Sequence, residues 1–223
     1  FYDSPGPSGR PLRIFAYFAY PASNVGAKLP GIIIVHGGTG RADRTAAVEW
    51  ASRGYAALSM DLPGKGPRRE GSRSEGPDMQ DDLIFKMTPS PTDSFLYSAV
   101  NSVVRAVSVM ASSNQVDPNR IGVVGSSWGG VITLVANGID NRISAACTIY
   151  GAGYITEESC WLAHGNMKHL TPKQVQSWRE YFDPSSYLTT QSGKTLFVAA
   201  TQDGYYPLPE SAAGPARKSA GIK

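Results

Sequence analysis

Apolar residues along this chain gather into short runs, separated by longer stretches with helical spacing. Runs at residues 12–20, 31–36, 55–60, 121–124, 143–150 and 195–201 read as strands. Several are almost wholly apolar, as strands covered on both faces must be, because neither side meets water. Between them, residues 43–53, 92–111, 127–137 and 171–181 read as helices. In the longest of these, Phe95, Ala99, Val103, Ala106 and Met110 share one stripe, and Pro91 precedes the start, where a missing N–H is tolerated. Pro118 marks the turn into the run at 121–124. Alternation of strand and helix predicts an α/β fold with a mostly parallel sheet and helices on both faces.

Two segments interrupt the alternation. Residues 61–91 are rich in Gly, Pro and charge and read as a long surface loop, whereas 151–191 read as an insertion of mixed loop and helix. Loops of this length in a compact domain usually carry function, so substrate contacts are expected there. The length, 223 residues, suits a single domain over 1–223, with 209–223 as a small, polar, basic tail.

Composition narrows the function classes. With 41% hydrophobic and 17% charged residues the chain has the make-up of a soluble globular protein, and no run approaches the ~20 apolar residues that span a bilayer. No membrane or nucleic-acid partner is expected. The basic residues Lys65, Arg68, Arg69 and Arg73 lack interleaved aromatics or a reading helix, and net charge is only +3. Asp78, Asp81 and Asp82 have no His or Cys neighbours, so they read as a solvated loop, and no metal is expected. Cys147 and Cys160 are too few for a disulfide framework. The chain begins at Phe1, which is compatible with a removed leader and a secreted or periplasmic location; compartment and oligomeric state stay open.

The chemistry concentrates in Gly125-Ser126-Ser127-Trp128-Gly129-Gly130, placed between the strand at 121–124 and a helix. This is a G-x-S-x-G elbow. The sharp strand-to-helix turn lifts a serine hydroxyl into the open, so Ser127 is the candidate nucleophile. His36-Gly37-Gly38-Thr39 follows the buried strand at 31–36, a position from which Gly37 or Gly38 would supply one oxyanion N–H and Trp128 the other. His36 itself reads as structural, bonded to nearby backbone. Asp203, after the apolar strand at 195–201, fits the acid in the order Ser, acid, His. The only histidines are His36, His164 and His169, all before Asp203. His169, then His164, is therefore the substitute base, carried by an insertion expected to fold over the site, and no histidine is expected to bridge Ser127 and Asp203. Trp161, Trp178, Tyr150, Tyr154 and Tyr181 place aromatic surface in or beside that insertion. Among them Trp161 and Tyr150 are the candidates for stacking on a substrate, although core packing would explain them as well.

With these residues placed, the chain resembles the acetylxylan-esterase and dienelactone-hydrolase-like branch of the α/β-hydrolase superfamily. The resemblance runs from about Arg13 to Leu208. It rests on Arg13-Ile14-Phe15-Ala16-Tyr17, Ile34-Val35-His36-Gly37-Gly38, Arg53-Gly54-Tyr55-Ala56-Ala57, Met60-Asp61-Leu62, Asp117-Pro118-Asn119-Arg120-Ile121-Gly122, Ser127-Trp128-Gly129-Gly130, and Gln202-Asp203 ahead of Tyr206-Pro207-Leu208. It implies the α/β-hydrolase fold and a cofactor-free serine esterase acting on short-chain acyl esters, with an acetylated sugar as one candidate substrate. It also implies a histidine on a loop after the last strand, and the 20 residues after Asp203 contain none. The alternative is an impaired hydrolase fold that binds a carbohydrate or a protein partner.

Overall fold

In the computed structural model, residues 1–22, 26–65, 71–80, 84–151, 153–157 and 159–207 are described. The chain opens with an antiparallel hairpin of β1 (Tyr2–Pro5) and β2 (Pro11–Ile14), joined by a 3₁₀ turn at Pro7–Gly9. It continues through β3 (Ala16–Ala19), β4 (Leu29–Val35), α1 (Arg44–Ser52), β5 (Ala56–Met60), α2 (Phe95–Ser112), β6 (Val116–Ser126), α3 (Trp128–Ile139) and β7 (Ile143–Ile149). Then come α4 (Cys160–Ala163), α5 (Pro172–Phe182) and β8 (Lys194–Val198). The main sheet has the order β3-β5-β4-β6-β7-β8; β3 is antiparallel to β5, and every other pairing is parallel.

Helix ends are set by local chemistry. Asp43 caps α1 by accepting from the Thr45 and Ala46 N–H groups, and Ser94 caps α2 through Leu96 N–H. Thr171 and Gln174 form a capping box ahead of Pro172 at the start of α5. All five stripe residues of α2 are buried, and α2 packs on α3, β6 and the β1 strand. By length and composition α2 would suit a bilayer, but its apolar side belongs to the core.

The two sheet faces are covered unequally. On one, α2 and α3 enclose the main core; on the other, α1 sits over β3, β5 and β4, with Ala47 and Trp50 against Ile32 and Ala57. Beyond β6 this second face has no helix packed on it among the described residues, and Leu196 and Val198 of β8 are exposed.

Three details differ from the sequence expectation. Residues 12–20 form two strands in different sheets, because Phe15 N–H donates to Ser74 Oγ and Phe15 O accepts from Asp61 N–H. Tyr2–Pro5, which carries no apolar alternation, is a strand. Pro118 lies within β6, where the register jumps from Leu29–Val116 to Gly31–Ile121 and the Asp117 carboxylate accepts from Asn119 N–H. The tail at 209–223, together with Arg68, Arg69, Asp81 and Asp82, lies outside the described residues.

Candidate active site

Ser127 stands at the carboxyl end of the central strand β6, one residue before α3. Its backbone is at φ 53°, ψ −123°, a conformation that costs a non-glycine residue on the order of 1–3 kcal/mol and persists only where its surroundings fix it. They do so here. Ser127 N–H donates to Ile149 O at 2.7 Å, tying the turn to β7, and Ser127 O accepts from Gly130 and Val131 N–H to start the helix. A Cβ at Gly129 would collide with the Val35 and His36 carbonyl oxygens, so glycine there lets α3 close onto the end of β4.

The same closeness brings the turn after β4 to the serine. A Cβ built on Gly37 would stand 3.1 Å from Ser127 Cβ and 3.0 Å from Ser126 O, and one on Gly38 would be 3.6 Å from Trp128 Cδ1. His36 holds this turn from within. Its Nδ1–H donates to Gly37 O at 2.6 Å while its Nε2 accepts from Leu62 N–H at 2.9 Å. Gly37 O also accepts from Gly40 N–H. Since a trans peptide sends C=O and N–H in opposite directions, pinning this carbonyl fixes the direction of the Gly38 N–H. Asp61, 1% exposed, clamps the loop from outside: one carboxylate oxygen accepts from Ala42 N–H at 2.6 Å and the other from Arg73 N–H at 2.7 Å. The Arg73 guanidinium lies over the Phe15 ring rather than in a basic patch.

These residues line a cavity of about 1300 Å³ that takes in His36, Gly37, Gly38, Ser127, Trp128, Trp161 and His164. Trp161 is a wall of it with little face to offer. It is 5% exposed and packs on Trp128 at 4.7 Å, Tyr206 at 5.2 Å and Tyr205 at 5.9 Å between ring centroids. Trp178 is core, its indole N–H donating to Ile84 O.

Two site expectations need correction. His169 does not share the cavity of Ser127; it lines a separate one of about 530 Å³ with Lys86, Lys168 and Gln174, because the turns after α4 carry it away to the start of α5. His164, which ends α4, is the insertion histidine beside Ser127's cavity. Tyr150 is not part of the lining either. Its φ of 58° turns it off the end of β7, its N–H donates to Val198 O, and the residue is 47% exposed.

Asp203 lies past β8 and is half-buried; its Oδ1 accepts from Tyr205 N–H at 2.8 Å and Tyr206 N–H at 3.1 Å. Among the described residues no histidine hydrogen-bonds to Ser127 or Asp203. Tyr206 is the residue the sequence did not single out. It is 1% exposed, and burial pushes its phenol well above the ordinary range, opposed by the nearby Ser127 hydroxyl and reinforced by Cys160 and Asp203. The insertion is anchored by Asp183, fully buried, whose carboxylate accepts from the N–H groups of Tyr154, Ile155 and Ser185.

A mostly parallel sheet, a strained serine between strand and helix, and a glycine turn against that serine define the α/β-hydrolase class. The solved structures agree on the fold. Acetyl xylan esterase 1 from Thermoanaerobacterium sp. JW/SL YS485 superposes with a TM-score of 0.78 at 16% identity, over 97% of this chain and 73% of that one. The acetyl xylan esterase from Paenibacillus sp. R4 gives 0.71 at 21% identity, over 96% and 73%. The acetyl xylan esterase (AXE1) family model matches residues 7–156, more than half of the chain, and the protein belongs to that family. The prolyl oligopeptidase family model matches residues 98–216. The inferred hydrolase YtaP of Bacillus subtilis (strain 168) is 28% identical over 143 residues, which is 57% of this chain and 45% of YtaP. The match thus spans less than half of that relative's length.

Proposed function

We propose that the protein is a serine esterase that hydrolyses short-chain acyl esters through an acyl-enzyme on Ser127, with acetylated carbohydrate as the candidate natural substrate. The observation that carries this is the contact between Gly37 and Ser127, which sets a glycine turn beside a strained serine at the mouth of a cavity. Membership in the acetyl xylan esterase family supports the choice of ester.

In this reading Ser127 Oγ attacks the ester carbonyl carbon, and the oxygen gains negative charge as the tetrahedral intermediate forms. The N–H groups of Gly38 and Trp128 receive that charge; removing one such donor typically costs about 10²–10³ in rate. The C–O bond to the alcohol then breaks, and water releases the acid from the serine. Asp203 is the acid of the site and His164 the histidine that the cavity offers as proton carrier. Since no histidine among the described residues hydrogen-bonds to Asp203, the proton carrier is held without the usual acid partner and turnover is slow in this reading.

The lack of a histidine bridging Ser127 and Asp203 among the described residues favours a second reading, an impaired hydrolase fold that binds a carbohydrate or a protein partner without rapid turnover. Steady-state hydrolysis of p-nitrophenyl acetate by wild type and Ser127→Ala separates the two. Loss of a measurable wild-type rate in the alanine variant supports the esterase, and equal rates support binding alone.

A further inference from the structure

The phenol of Tyr206 is a buried polar group beside the site to which the esterase reading gives no task. Its ring is fixed by packing on Trp161 at 5.2 Å, and its backbone N–H is held by the Asp203 carboxylate at 3.1 Å. Its hydroxyl is fully enclosed and closes no hydrogen bond of ordinary distance and angle among the described residues. A hydroxyl enclosed without a partner is destabilising, so such a group marks either strain or a bond completed in another state. The neighbour placed to complete it is Ser127: Trp161 packs on Tyr206 at 5.2 Å and on Trp128, the residue after Ser127, at 4.7 Å, and the Ser127 hydroxyl is among the groups that act on the phenol. Cys160 and Asp203 are the other polar groups close to it.

Building on the esterase reading, we infer that Tyr206 is a positioning residue for Ser127, closing a hydrogen bond to Ser127 Oγ in the reacting complex and holding the serine in one rotamer. Hydrogen bonds at catalytic groups are often long in the free protein and tighten when substrate binds. The phenol stays neutral through the working range, so it serves as a hydrogen-bond partner and not as the base. Tyr206 is absent from the cavity lining, which Tyr205 joins, so it acts through the serine and does not touch the ester.

A serine side chain has three staggered wells, and losing selection among them dilutes the productive one about threefold. Tyr206→Phe keeps the ring and removes only the hydroxyl. The test follows the rate at which a fluorophosphonate probe labels Ser127, read by intact mass, in wild type, Ser127→Ala, Tyr206→Phe and Tyr206→Leu. The expected result is about threefold slower labelling of Tyr206→Phe at saturating probe, unchanged half-saturation, an unchanged ratio to wild type from pH 6 to 9, and no loss of thermal stability. Tyr206→Leu, lacking the ring as well, should lose stability. Equal or faster labelling of Tyr206→Phe overturns the inference, as does a ratio that varies with pH. Failure of the underlying reading looks different: wild type and Ser127→Ala would then label alike, or not at all.

Discussion

Gly37 lies so close to Ser127 that a methyl group on residue 37 would stand 3.1 Å from the serine's Cβ. Any side chain at 37 must push the turn after β4 away from the nucleophile. Gly37→Ala should fold with a modest shift of the loop and a reduced kcat. Gly37→Val should lose about 10²-fold or more in kcat, as expected when an oxyanion donor is displaced. Circular dichroism checks that the fold survives, and p-nitrophenyl acetate kinetics reads the loss.

The placement of the two insertion histidines gives a second expectation. His164→Ala should slow ester hydrolysis, since His164 shares the cavity with Ser127. His169→Ala should retain the wild-type rate, since His169 lines another cavity. The reverse pattern would restore His169 to the site.

Asp183 predicts a stability effect at a distance from the chemistry. Its carboxylate satisfies three N–H groups, and truncation leaves buried donors without an acceptor, each costing roughly 1–3 kcal/mol. Asp183→Ala should lower unfolding free energy by about 3 kcal/mol or more, measured by urea denaturation. The loop at 153–157 should also become accessible to proteases.

Alkaline pH should destabilise the protein through two buried phenols. Burial raises Tyr206 well above its ordinary range, and burial with the Asp61 charge does the same for Tyr2, whose hydroxyl donates to Ser102 O at 3.0 Å. Above about pH 10 the unfolded chain releases both protons while the folded one retains them, so the folded state loses stability as pH rises. Below that range the contribution is constant. Thermal melts between pH 8 and 11 should show the decline, and it should be shallower in the Tyr2→Phe, Tyr206→Phe double variant.

Much of this architecture was legible along the chain because central parallel strands must be apolar on both faces, and because the elbow and the glycine turn need short, local signatures. What escaped was tertiary. The break at Phe15 depends on Ser74 and Asp61, both far along the chain, and β6 absorbs Pro118 through a register jump against β4. His36 could be read as structural from its place in the turn, but its hydrogen bond to Leu62, beyond β5, appears only when strands become neighbours. In the sequence Tyr206 figures only as part of the resemblance, in the run after Asp203. Its enclosure, 1% exposed with the ring on Trp161, is tertiary, and no local pattern encodes it. The histidines could not be told apart because the described residues of 151–191 form no strand to fix the path, so proximity in sequence said nothing about which of the two would reach the cavity.

Ester hydrolysis at this site requires that Ser127 become covalently acylated. Incubation with p-nitrophenyl acetate, acid quenching and peptide mass mapping tests it directly. One acetyl group per chain is expected on the peptide containing Ser127, and none in Ser127→Ala. Acetylation confined to lysines, tyrosines or the Phe1 amino group, at equal levels in both proteins, would contradict it.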